Sequence, residues 1–309
     1  MTHYDLTASQ LNGIVAVKIA RFRKLFVPYP RHIQLHERYD YLRQLGLETR
    51  GEPQSGLRVL APSSSGKSKA TEAYIERALQ LNPPAKGTVP FVKMDLEKST
   101  TTKKLLSSLL DKLGDAYSTS GNEQVLKVRA FNALQRLKVQ LLFVDEIQHL
   151  KFGGGVRAEV SDVLKSMLDM GIVPIVFLGT EEAERMFRSN IQLSVRLLAP
   201  NDLKPLDPTI QSDRELFASF VRRLEAAVVS LDILSEQSDL QALGLLPGLF
   251  EASAGVVGRV SRLFEAALSL ALHREAHKLE PSDLALATET YGRDNLLLTH
   301  NPFREWLNG

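Results

Sequence analysis

The run Leu141–Val144 inside VQLLFVDE (139–146) restricts the fold more than any other stretch of the chain. A strand with one wet face alternates apolar and polar residues, and four apolar residues in succession break that alternation. Such a run needs cover on both sides, which is the condition of a parallel sheet with helices packed on each face. Parallel neighbours are joined by crossovers of a dozen residues or more, usually helical. The chain supplies them. LRVL (57–60), TVPFVKMD (88–95) and VPIVFLGT (173–180) read as further strands, and LKPL (203–206) as a short fifth. Between them apolar residues recur at helical spacing over 67–81, near 105–113, over 123–137 and over 157–170, and EEAERMFRS is helical as well.

Upstream of the first strand, residues 8–26 predict a short basic helix that the two prolines of VPYPR break, and HERYDYLRQLG predicts a helix closed by Gly46. After about residue 209 the strands stop. Residues 212–229, 237–254, 256–278 and 281–291 read as helices, the last with Pro281 in its first turn. Alternating β and α followed by helices alone predicts an α/β fold, a doubly wound parallel sheet with a small C-terminal helical domain. The expected divisions are a basic helical extension over 1–50, the α/β domain over 51–209, a helical lid over 210–291 and a tail over 292–309.

Composition narrows the function classes. In 309 residues, 44% hydrophobic and 24% charged content is that of an ordinary globular chain. Cysteine is absent, which removes disulfides, thiol nucleophiles and thiolate zinc sites, and fits a reducing cytoplasm. The start, MTHYDLTASQLNG, lacks the pattern of a secretory signal, and no stretch approaches the ~20 apolar residues of a membrane span, so the expected location is cytoplasmic with no membrane partner. The net charge of +2 announces no nucleic acid; the basic excess in residues 1–50 could face phosphate but reads first as a solvated helix face. The seven histidines show no metal-binding spacing, and His149 reads as structural.

Two motifs carry chemistry. Ala61-Pro62-Ser63-Ser64-Ser65-Gly66-Lys67-Ser68 follows a predicted strand and opens a predicted helix, the placement of a phosphate-binding loop. Successive backbone N–H groups curl around a phosphate at a helix N-terminus. Gly66 permits the close approach, Lys67 spans the β- and γ-phosphates, and the Ser68 hydroxyl completes a Mg²⁺ shell. Ala61 replaces the usual first glycine, which is tolerable if its φ is negative. The second motif is Asp145-Glu146 at the mouth of the buried strand. Asp145 would hold Mg²⁺ and Glu146 would polarise the attacking water. The implied cofactor is ATP with Mg²⁺.

Three further residues complete the expected site. Thr180 ends the next strand, where a hydroxyl could lie between the γ-phosphate and the water. Arg196 could reach a neighbouring subunit's γ-phosphate, with Arg185 and Arg188 as rivals. Arg259, with Arg262 as its rival, would project from the helical domain onto the nucleotide.

Taken together, YPRHIQLHERYDYL, APSSSGKS, LLFVDEIQHL, IVFLGTEEA, VRLLAPNDLKPL and GVVGRVSRLFEAAL resemble the TniB/TnsC family of AAA+ transposition ATPases, related to the phage Mu target-selection protein MuB. The resemblance runs from about residue 28 to 290. It implies ATP-dependent assembly into hexamer-like or heptamer-like rings or helical filaments on duplex DNA. It also implies selection of a target site and recruitment of a transposase, with a TniQ-like adaptor as a further partner. In that family loops in a central pore hold the DNA. Their counterparts here are KSTTTKK and HLKFGGGVR, with Lys98, Thr101, Thr102, Lys103, Lys104, Lys151 and Arg157 as backbone contacts. Arg31 and His32 in PYPRH are expected, by analogy, to cap the adenine. The tail with Phe303 and Trp306 is expected to dock a transposase or adaptor, with a strap on its own subunit as the alternative. Other classes stay open: a helicase loader or branch-migration motor, which often carries a winged helix that the ~20 residues past 290 cannot hold, and an ATP-binding signalling switch without DNA.

Overall fold

The computed structural model describes residues 7–98, 100–150, 156–292 and 298–306, those at 156–159 by backbone alone. The strands β1 (Gly56–Leu60), β2 (Phe91–Asp95), β3 (Leu141–Asp145) and β4 (Ile175–Gly179) form a parallel sheet in the order β1-β4-β3-β2. Helices α1 (Ala8–Lys24) and α2 (Pro30–Glu48) precede β1, and α3 (Lys67–Leu81) links β1 to β2. Two helices, α4 (Thr102–Lys112) and α5 (Glu123–Arg136), lead from β2 to β3, and α6 (Val156–Asp169) from β3 to β4. The chain continues through α7 (Glu184–Ser189), α8 (Ile191–Ser194), α9 (Gln211–Ser230), α10 (Leu246–Ser253), α11 (Val257–His273) and α12 (Pro281–Ala287).

Both faces of the sheet are covered, as the LLFV run requires. Val92, Met94, Leu142, Val144 and Phe177 pack with the leucines of α4 and the apolar faces of α5 and α6. On the other face Phe143 meets Tyr39 of α2 at 5.1 Å and Tyr74 of α3 at 6.2 Å between ring centroids.

The chain divides into two compact units. One is residues 31–63 with 67–204, holding the sheet. The other is residues 1–30, 64–66 and 205–309, holding the later helices together with α1. The expected extension over 1–50 is therefore split, because its two helices bury different faces. Val15 and Phe22 of α1 enter the core formed by Phe217, Val221, Val260 and Phe264, while Leu35, Tyr39 and Leu42 of α2 are buried in the unit of the sheet. Burying a side chain such as Phe22 contributes about 1.5–3 kcal/mol, enough to decide where a short helix lies.

Three local expectations are corrected. Residues 203–206 form no strand. The free edge of β1 is covered by the chain just before them, where Gly56 N–H donates to Arg196 O at 2.9 Å and Leu198 N–H to Gly56 O at 2.8 Å. Pro200 cannot donate to a ladder. Asp202 takes over with its side chain, accepting from Leu60 N–H at 2.8 Å and from the Arg58 guanidinium at 2.6 Å. Second, Gly46 does not end α2. A Cβ there would lie 2.7 Å from both Gln54 Oε1 and Pro174 Cγ, so the glycine serves close packing inside the helix. Third, only Leu246–Ser253 of the expected helix 237–254 is helical. Asp239 and Gly244 adopt positive φ, and the buried Glu225 carboxylate accepts from Leu240 N–H at 3.0 Å, which holds the preceding chain as turns.

In its described part, 298–306, the tail lies against its own chain. Phe303 is buried beside Gly248, where a Cβ would meet its ring at 2.6 Å, and Asn301 Nδ2 donates to Ala285 O at 2.8 Å. Trp306 remains 37% exposed.

Candidate nucleotide site

Parallel strands bring their C-terminal ends to one side, and that is where the two motifs meet. β4 lies between β1 and β3, so Ala61 just past β1, Asp145 at the end of β3 and Thr180 just past β4 stand at the ends of three adjacent strands. Ala61 N–H donates to Gly179 O at 3.1 Å, and Ala61 stays out of the positive-φ region, which is the condition under which its methyl group is tolerated. The loop then turns through Ser64 at φ 62° and Gly66 at φ 86° before Lys67 opens α3. Such turns point consecutive N–H groups inward, at the positive end of a helix.

The two motifs are joined directly. Lys67 Nζ donates to Asp145 Oδ1 at 2.9 Å and Ser68 Oγ to Asp145 Oδ2 at 2.6 Å. Burial pushes the Asp145 carboxyl up, but the Lys67 charge, the Ser68 hydroxyl, the Lys67 hydrogen bond and the Glu146 amide outweigh it and hold the group below the ordinary carboxylate range. A buried carboxylate in this state is paired and ionised. The donor set fits a triphosphate with Mg²⁺: an ammonium for the phosphate oxygens, and a hydroxyl and a carboxylate oxygen as hard ligands for the ion.

Glu146 follows with φ 60°, a left-handed conformation. Gln148 Nε2 donates to Glu146 Oε2 at 2.5 Å, and Gln148 Oε1 accepts from Thr180 N–H at 3.1 Å. The Thr180 hydroxyl oxygen is buried and has no hydrogen-bond partner among the described residues, which fits an expected task toward a bound group. His149 lies 3.6 Å from Glu146 Oε2.

Sequence reasoning missed the bracing around the loop. Tyr39 of α2 lies 3.1 Å from Thr71 Oγ1, and Thr71 donates to Lys67 O at 3.0 Å. Burial pushes the Tyr39 phenol up, so it keeps its proton and can donate to Thr71. His36 lies 2.8 Å from Ala70 O. The turn Ser64–Gly66 packs on α11, where a Cβ on Gly258 would fall 2.1 Å from Ser64 O. That approach explains a glycine one residue into a helix. The aromatic and polar residues of α2 carried the only available signal, a helix before β1 too polar to be core throughout.

Several expected site residues are differently placed. His32 is 3% exposed and presents no face for a base to stack on; burial, then the neighbouring His36, lowers its pKa to about 3 and keeps it neutral. Arg31 donates to Lys204 O at 2.7 Å. Arg196 forks onto Asp169 of its own chain, with one bond at 2.9 Å, whereas Arg188 is 76% exposed and pairs with Glu184 at 2.9 Å. Arg185 is exposed. Arg259 is half-buried, and Arg262 lies 3.8 Å from Glu265.

Of the expected DNA contacts, Lys98 and Lys103 are exposed. Lys104 pairs with Glu97 at 2.5 Å, and Thr101 caps α4 by accepting from Lys104 N–H at 3.2 Å. Thr102 is buried and offers no surface for a phosphate. Lys151 and the side chain of Arg157 lie outside the described residues.

The sequence profile of the family described as Bacterial TniB protein matches residues 18–205. A search of curated proteins found no match. Among solved structures, the chain is similar to the ORC2 protein of Aeropyrum pernix in its ADPNP–ADP complexes, with TM-score 0.61 and 13% identity over 81% of this chain and 66% of that one. It is similar to the ORC1 protein of Aeropyrum pernix in complex with DNA, with TM-score 0.62 and 16% identity over 88% and 68%. It is also similar to Drosophila ORC bound to DNA, with TM-score 0.53 and 14% identity over 93% and 68%. The chain spans about two thirds of the length of these structures, and at such identities the likeness is one of fold.

Proposed function

The chain belongs to the TniB family and is an ATPase of the AAA+ type; from that membership we propose that it assembles on duplex DNA when ATP is bound, marks a target site and recruits or activates a transposase. The observation that carries the reading is the convergence of Lys67 and Ser68 on Asp145, with Glu146 one residue on. When bound, ATP with Mg²⁺ supplies a γ-phosphoryl group for transfer to water. Lys67 binds the phosphate oxygens, Ser68 and Asp145 hold the ion, and Glu146 accepts a hydrogen bond from the attacking water and orients it. Thr180 offers a hydroxyl to the same region. An arginine of a neighbouring copy would complete the charge stabilisation. Arg188 and Arg185 are presented to solvent, whereas Arg196 must first leave Asp169.

For DNA, exposed Lys98 and Lys103 support an interaction with phosphates that reads no bases. Electron microscopy of the protein with duplex and a slowly hydrolysed ATP analogue tests the whole reading. Rings or filaments with duplex in the pore are expected. Particles that remain single subunits under these conditions would rule out the assembly, and assemblies that exclude duplex would favour a switch acting on protein partners.

A further inference from the structure

The side chain of Gln148 bonds at once to the end of β3 and the end of β4. Its amide is used on both sides: the NH₂ group donates to Glu146 Oε2 at 2.5 Å, and the carbonyl oxygen accepts from Thr180 N–H at 3.1 Å. We propose that Gln148 is a positioning residue for ATP hydrolysis, holding the Glu146 carboxylate at a fixed place beside Thr180. The proposal rests on the reading of Glu146 as the group that orients water.

Three observations converge on it. Glu146 is itself left-handed, one residue past the end of β3, and its side chain has three rotatable bonds beyond the backbone. Its backbone N–H is tied to Asp145 Oδ1 at 2.8 Å, which fixes the main chain but leaves the carboxylate free to swing. The bond from Gln148 removes that freedom by engaging Oε2, and leaves Oε1 as the acceptor for a water. Second, the turn that carries Gln148, Ile147–His149, lies hard against the last residue of β4. A Cβ on Gly179 would fall 2.5 Å from Ile147 Cγ2 and 3.0 Å from Gln148 Oε1. The bridge thus depends on a strand end with no side chain. Third, the bridge terminates on the residue whose own hydroxyl is buried without a partner among the described residues. One side chain therefore sets the spacing between two groups expected to meet the same water. A carboxylate held in this way acts without reorganising during the reaction, and misplacement by an ångström costs on the order of 10²-fold in rate.

The test is steady-state ATP hydrolysis by the full chain with Mg²⁺ and saturating duplex, alongside titration with a fluorescent ATP analogue. Gln148→Ala removes both bonds. Gln148→Glu keeps the shape and an acceptor for Thr180 N–H but loses the donor to Glu146. Both are expected to lower kcat by roughly 10–100-fold while KM and analogue affinity stay within about twofold. The double variant Glu146→Gln, Gln148→Ala is expected to be no slower than Glu146→Gln alone, because a positioning residue has nothing left to position.

Normal kcat in both Gln148 variants overturns the proposal when Glu146→Gln is itself inactive. Analogue affinity falling in parallel with kcat would make Gln148 a structural residue and overturn it too. So would a raised kcat, which would make the bond a restraint. If Glu146→Gln hydrolyses ATP as the wild type does, the reading of Glu146 fails first and the proposal with it.

Discussion

Glu146 adopts φ 60°, ψ 34°, a region that costs a residue other than glycine about 1–2 kcal/mol. Such a conformation persists only where surrounding bonds impose it, and here the Asp145 side chain and Gln148 do so. The strained position belongs to the residue that the proposed mechanism turns toward water. Glu146→Gln should therefore keep nucleotide binding while phosphate release falls by roughly 10²–10⁴-fold, the range associated with a positioned proton acceptor. Normal release in that variant would remove Glu146 from the mechanism. His32 makes a separate prediction. Its folded pKa of about 3 lies below the unfolded value of 6.5, so its contribution to stability is present above about 6.5 and is lost as pH falls toward 3. The urea midpoint should drop across that window, less steeply in His32→Gln; equal slopes would place the acid sensitivity elsewhere. That the two motifs lie against each other was legible, because spacing and strand context bring Lys67 and Ser68 to Asp145. Gln148, Thr71 and Tyr39 were not, since a glutamine in a turn and a threonine in a helix carry no pattern until the neighbouring elements are placed.

At the scale of elements, unbroken apolar runs located the strands, since β3 and β4 are buried on both faces, and helical spacing located the first crossover. It failed where a residue's purpose is tertiary. Gly46 reads as a helix end by propensity, yet α2 continues to Glu48 because the glycine admits Gln54 and Pro174. Propensity alone says that Gly46→Ala stabilises by about 1 kcal/mol. The 2.7 Å approaches say that overpacking, typically about 1–3 kcal/mol, outweighs it. Denaturant unfolding should show a net loss of stability, and a gain would mean that the neighbours yield. The expected fifth strand failed for a related reason: past Pro200 only Asn201 N–H to Arg58 O and Leu203 N–H to Leu60 O still reach β1, and the Asp202 carboxylate replaces a backbone partner, an exchange that no periodicity reports.

At the scale of the whole molecule, the later helices form a compact unit of their own with residues from 205 onward, close to the point at which strands stop in the sequence. The allegiance of α1 was not legible, because an amphipathic helix does not declare what it will cover. The proposed pore surface is smaller than the basic residues of KSTTTKK suggest, with Lys104 engaged by Glu97 and Thr102 buried. Reversing charge at Lys98 and Lys103 together should weaken duplex binding and flatten its dependence on salt, the slope falling by about one for each phosphate that is no longer neutralised. An unchanged slope would move the DNA surface elsewhere. All of these expectations presuppose that Lys67, Ser68 and Asp145 together hold a nucleotide. Titration of the purified chain with a fluorescent ATP analogue, with and without Mg²⁺ and duplex, examines that point alone. Saturable binding strengthened by Mg²⁺ and abolished by Lys67→Ala is the expected result; no binding in any condition, or equal binding by Lys67→Ala, would contradict it.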